Sequence, residues 1–165
     1  MVNNPKIIRA CTVPQSLGFV EGTLDDLQKK YEVVLLSSPG PDWERVREKH
    51  PDVKCIEVPM ERHISLVRDF KALVALWRVF RMEKPMMVHS MTPKAGMLCM
   101  VASWMALVPV RVHTFTGLVF PTSVGLKRKI LMATDWLTCA CATHIIPEGQ
   151  GVMDDLKNHK VCRKS

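Results

Sequence analysis

Six times along this chain a short β-branched or apolar run is followed by a longer segment with apolar residues at helical spacing, and no other feature narrows the fold as far. The short runs cover 7–13, 32–37, 53–58, 86–90, 110–115 and 144–147; the longer segments cover 19–30, 41–49, 66–83, 93–107, 125–141 and 150–159. The short runs are near-continuously apolar, as strands are when helices cover both faces. The expected architecture is therefore a single α/β domain over 1–165 with a doubly wound, mostly parallel, six-stranded Rossmann-like sheet. Local punctuation agrees. Thr92-Pro93 places a capping hydroxyl before a proline at the first helical position, Pro41 can occupy a first helical turn, and Pro85 closes the helix ending near Glu83.

Composition then limits the partners. There are 23 Lys and Arg against 16 Asp and Glu, so the net charge of +7 and the pI near 9.3 call for an anionic partner or surface. With 47% hydrophobic residues, collagen, wholesale disorder and a disulfide mini-protein are excluded. The six cysteines form no C-x-x-C pair and fall mostly in apolar runs, which suits reduced thiols in a cytoplasmic protein. The most apolar stretch, 97–110, is too short for a membrane span, and residues 1–6 show no export signal. No DNA- or RNA-binding motif accompanies the charge, so no nucleic acid partner is expected.

In open α/β sheets ligands bind outside the carboxyl ends of the strands, which directs attention to the loops 14–18, 59–65, 90–94 and 114–127. Gly18 can let backbone amides approach a phosphate or sugar, or can simply be a turn glycine. Lys94 and the run Lys127-Arg128-Lys129 stand at helix starts, where each positive charge costs about 0.3–1 kcal/mol unless an anion is present. A solvated basic face is the alternative reading. His89 and His113, near the ends of the fourth and fifth strands, are expected to approach one another above the sheet. No Cys or carboxylate follows either closely, so no metal is expected, and His89 reads as a hydrogen-bonded core residue. The 66–83 helix mixes Phe70, Trp77 and Phe80 with Arg68, Lys71, Arg78 and Arg81, and the 126–137 segment repeats the mixture with Trp136. Either Trp77 packs on the sheet with solvated arginines around it, or these helices lie on anionic lipid.

Three segments carry a family resemblance: Val88-His89-Ser90-Met91-Thr92-Pro93-Lys94-Ala95-Gly96, Val110-Arg111-Val112-His113-Thr114-Phe115-Thr116-Gly117-Leu118, and Gly125-Leu126-Lys127-Arg128-Lys129. Together with Thr12-Val13-Pro14-Gln15-Ser16 near the start and Thr143-His144-Ile145-Ile146-Pro147 near the end, the chain resembles family 4 of the bacterial glycosyltransferases. The resemblance implies the N-terminal, acceptor-binding half of a GT-B enzyme made of two Rossmann-like domains. Such a hexosyltransferase moves a sugar from a nucleotide-sugar donor to a glycan or lipid-linked acceptor in cell-surface polysaccharide biosynthesis. The C-terminal half, which binds the donor and carries a pair of glutamates separated by seven residues, is not matched, so the chain alone is expected to be inactive.

By the same resemblance His113 faces the donor sugar and helps position it, and Gly18 lies near the donor phosphates and acceptor. Thr114, Thr116 and Gly117 shape the acceptor pocket, and Lys94 and Arg62 place positive charge near the cleft. Met91 stands where family members commonly have histidine. The expected partners are a nucleotide sugar as substrate with no cofactor, the acceptor, an anionic membrane surface at the inner face of the plasma membrane, and a separate donor-domain subunit. The competing reading is a non-catalytic module that docks on such a membrane or on a partner glycosyltransferase.

Overall fold

A computed structural model of the chain describes residues 4–61 and 65–162. The elements in chain order are β1 (Lys6–Ala10), α1 (Gly18–Gln28), β2 (Glu32–Ser37), α2 (Asp42–Lys49), β3 (Lys54–Glu57), α3 (Leu66–Glu83), β4 (Met87–Ser90), α4 (Pro93–Met105), β5 (Val110–Phe115), α5 (Gly125–Cys141), β6 (His144–Pro147) and α6 (Gln150–Asn158). The strands form one parallel sheet in the order β3-β2-β1-β4-β5-β6. Between β1 and β4 the order of strands reverses, and this switch point opens the crevice in which doubly wound folds bind ligands.

Each face of the sheet buries its own core, because successive residues of a strand point to opposite sides. Ile7 of β1 and Cys11 just past its end pack with Leu24, Trp43 and Val46 of α1 and α2. Ile8 and Ala10 pack with Leu76 and Phe80 of α3 and with Leu98 and Ala102 of α4. Fully burying each large side chain contributes roughly 1.5–3 kcal/mol. On α3 the inward stripe is Ala72, Leu76 and Phe80, at i, i+4 and i+8, so Trp77 turns outward and is 37% exposed. The expectation that Trp77 packs on the sheet is thus corrected: Leu76 and Phe80 already fill that stripe.

Two local expectations also change. Residues 14–17 form a single 3-10 turn, Pro14–Leu17, ahead of α1, with Ser16 N–H donating to Val13 O at 3.1 Å. The Thr92 hydroxyl does not cap α4. Thr12, at the end of the neighbouring β1 segment, does so instead: its Oγ1 accepts from Ala95 N–H at 3.1 Å. Thr92 Oγ1 accepts from Thr12 N–H at 3.0 Å and lies 2.7 Å from Thr12 Oγ1, which ties the two strand ends together. That tie holds Thr92 at φ 156 and ψ 142, a conformation a β-branched residue adopts only under such constraint.

Candidate functional site

The Thr12–Thr92 tie sits at the switch point and fixes where the β1 and β4 loops leave the sheet. On the α3 and α5 side of it lies a cavity of about 270 Å³. Leu66 and Asp69 of α3, Pro93, Lys94 and Met97 of α4, Gly117 and Val119 of the loop after β5, and Ile130, Leu131, Thr134 and Asp135 of α5 line it. Its walls are mainly apolar, and its polar groups are held by the fold. Lys94 Nζ reaches Asp69 at 2.6 and 2.7 Å, so the positive charge at the start of α4 is balanced within the domain. Asp135 is buried, and that burial lifts its carboxyl from the ordinary 3.8 to about 6.

Around the mouth the domain exposes apolar side chains that water disfavours. Phe70 is 66% and Leu126 73% exposed, and Leu66, Val67, Val119 and Val124 are exposed with them. Arg68, Lys127 and Lys129 stand among these residues on the same helix starts, and Arg68 is ion-paired with Glu61. A second, larger concavity of about 600 Å³ opens at the amino ends of the strands, between Lys6, Arg81, Lys84, Met86 and Leu107. Its size exceeds that of the first, but it lies at the end of the sheet away from the switch point, so the smaller cavity is the candidate ligand site.

The two histidines do not meet above the sheet. Parallel pairing sets His89 opposite Val112 and Ser90 opposite His113, so the imidazoles lie on opposite faces. His89 is buried, and its Nε2 is 2.8 Å from Thr114 Oγ1. Burial, reinforced by the charge of Arg9, lowers its pKa to about 4. His113 is 1% exposed, its Nδ1 2.9 Å from Ser90 Oγ and its ring edge-on to Phe115. Burial, followed by the influence of His89, lowers its pKa to about 3 against a smaller opposing effect of Ser90. Both rings are therefore neutral near pH 7. His113 lies beneath α4, where a Cβ added to Gly96 would come within 2.4 Å of its Cε1. In this domain the ring fills the place a side chain at Gly96 would need.

The residues expected at the site therefore divide. Lys94 and Gly117 line the cavity, Thr114 belongs to the opposite face through His89, and Thr116 is half-buried in the loop after β5. Gly18 begins α1 with ordinary helical angles, and a Cβ there would meet nothing within 4 Å. Arg62 lies outside the described residues. Among the described residues no three His, Cys, Asp or Glu side chains converge as a metal site. Thr12, Asp135 and Gly96 were not singled out from sequence. Thr12 stands in the Thr12-Val13-Pro14-Gln15-Ser16 stretch, but its capping of another helix depends on β1 and β4 being neighbours in the sheet.

Six parallel strands with helices on both faces and a crevice at the switch point make this a doubly wound, Rossmann-like α/β domain. The chain belongs to the glycosyl transferase 4-like domain family, whose model matches residues 21–164. It is 33% identical over 161 residues to the capsular polysaccharide biosynthesis glycosyltransferase CapM of Staphylococcus aureus, covering 97% of this chain and 40% of that protein. It is 36% identical over 89 residues to a UDP-Gal:alpha-D-GlcNAc-diphosphoundecaprenol alpha-1,3-galactosyltransferase of Escherichia coli, covering 52% of this chain and 22% of that one. In fold it resembles a UDP-N-acetylglucosamine 2-epimerase with a TM-score of 0.72 and 17% identity, covering 99% of this chain and 46% of the other. The chain thus spans less than half the length of each of these proteins.

Proposed function

We propose that this domain is the acceptor-binding half of a hexosyltransferase that builds cell-surface polysaccharide, with a glycan or lipid-linked sugar as acceptor. The observation that carries the reading is the apolar cavity beside the switch point, with exposed apolar and basic residues at its mouth. An amphipathic acceptor fits that combination: a hydrocarbon chain removes the apolar walls from water, and an anionic diphosphate meets the basic helix starts. The nucleotide-sugar donor is held by a second domain, in the same polypeptide or in a partner subunit.

Anionic lipid at the inner face of the plasma membrane is the surface on which such a mouth would rest. Among the described residues no helix is long and apolar enough to cross a membrane. In this reading His113 is a positioning residue. It acts through Gly96 and Ser90 on the start of α4, and Lys94 keeps its place through Asp69.

Equilibrium binding of a short-chain prenyl-diphosphate N-acetylglucosamine tests the reading. The domain should bind it more tightly than UDP-galactose, and Ile130→Asp, which puts a charge in the cavity wall, should weaken it tenfold or more, about 1.4 kcal/mol. Preference for the nucleotide sugar, or an Ile130→Asp variant that binds as well as the parent, would contradict it.

A further inference from the structure

Arg9 carries a charge for which the described residues supply no counter-ion. Its residue lies on β1 between Ile7 and Cys11, on the face shared with α1 and α2, and is half-buried. Its Nη2 has only the thioether of Met91, at 3.8 Å, and its buried Nε has no partner. No carboxylate among the described residues is ion-paired with it. The Nε of Arg128 is also buried without a partner, but several other cations drawn into the structure are differently served. Lys6 has Glu32 and Glu83, Lys94 has Asp69, and Arg111 donates to the carbonyls of Cys141 and Val108 at 2.6 Å each. A half-buried guanidinium without an anion is a cost to the fold that holds it, whereas an arriving oxyanion would find a planar donor already partly withdrawn from water.

Its place gives that charge a meaning. Arg9 is paired in register with His89, and its guanidinium reaches Met91, just past the carboxyl end of β4. It therefore lies beside the switch point on the α1 side of the sheet, the face opposite the apolar cavity. The neighbouring His89 is engaged with the Thr114 hydroxyl. Burial and Arg9 together keep that imidazole uncharged, so it adds no competing cation.

We propose that Arg9 is the anion-recognition residue of this crevice, taking a phosphate or carboxylate oxyanion of a ligand on its guanidinium, with His89 and Thr114 forming the polar wall beside it. That the oxyanion belongs to a sugar-transfer substrate rests on the function proposed above; the site itself does not.

Calorimetric titration and thermal unfolding of the domain with inorganic pyrophosphate and with glucuronate, at constant ionic strength, test this without any transfer assay. One of the two anions should bind and raise the melting temperature. Pyrophosphate identifies the ligand group as phosphate and glucuronate as carboxylate. Arg9→Met should lose at least tenfold in affinity and melt higher than the parent without anion, because an uncompensated charge has gone. Arg9→Lys should retain part of the affinity, and Arg81→Ala, at the other end of the sheet, all of it. An Arg9→Met chain that melts lower or fails to fold would assign the residue to the fold instead. Binding of neither anion, or binding indifferent to Arg9, would equally overturn the proposal. Failure here with intact acceptor binding leaves the acceptor reading standing, and the converse result leaves the anion site standing.

Discussion

At Gly96 the packing leaves no room for a methyl group, since the nearest atom of His113 would lie 2.4 Å away and that ring is wedged against Phe115 and hydrogen-bonded to Ser90. Overpacking of a buried site that cannot give costs roughly 1–3 kcal/mol or more. Gly96→Ala should therefore lose about 2–3 kcal/mol in denaturant unfolding, and His113→Ala in the same chain should recover part of the loss, a coupling a double-mutant cycle would read. Additive losses would show that the two residues do not press on one another. This pair also shows what one sequence hides. Both residues belong to the segments that carry the family resemblance, yet the faces of His89 and His113 follow from the one-residue offset that sets Ser90, not His89, opposite His113. A single strand's pattern does not contain the register of its neighbour.

Among the elements, the strands were the most legible because burial on both faces writes a near-continuous apolar run. Those at 32–37, 110–115 and 144–147 agree with the structure to the residue, as do the helices 66–83 and 125–141. The first strand was read too long. Thr12 and Val13 continue its apolar and β-branched pattern but leave the ladder for the Thr92 tie and the 3-10 turn, which is too short to show a period. Helix orientation also separates residues that the sequence had grouped as one basic surface. Arg68 lies at the start of α3 near the cavity mouth, and Arg81 lies 13 residues further along, roughly 20 Å at 1.5 Å per residue. If the mouth is the face that meets lipid, Lys127→Glu with Lys129→Glu should reduce binding to phosphatidylserine vesicles at low salt by tenfold or more. Arg78→Glu with Arg81→Glu should change it less than twofold, as read by vesicle co-sedimentation. Equal effects of the two pairs would contradict that orientation.

For the whole molecule, buried titratable groups give stability a definite pH dependence. His89 and His113 are held neutral at about 4 and about 3, while in the unfolded chain they gain protons below about 6.5. The native state then binds fewer protons, so their effect is a loss of stability as pH falls from 6.5 toward 4, on the order of 3 kcal/mol for each. Asp135 works in the other direction. Its carboxyl titrates near 6 when folded and near 3.8 when unfolded, so the stability it contributes at low pH is lost as pH rises through 6. Two histidines outweigh one aspartate, and the domain should weaken on acidification. Asp135→Asn should stabilise it at pH 7.5 by up to about 3 kcal/mol and much less at pH 4.5, in urea melts; a gain independent of pH would refute the assignment. At this scale the class of fold was readable from the repeated strand–helix pattern. The cavity was not, because Leu66, Met97, Val119, Ile130 and Asp135 come from four separate segments that only the packing of α3, α4 and α5 brings together. The central claim, that this domain supplies the acceptor side of a sugar transfer, is tested most directly by following labelled galactose from UDP-galactose to the prenyl-diphosphate acceptor. The domain should be assayed alone and with the C-terminal half of the Escherichia coli galactosyltransferase added in trans. The account predicts no transfer above background alone and transfer on mixing; robust transfer by the 165-residue chain alone would contradict it.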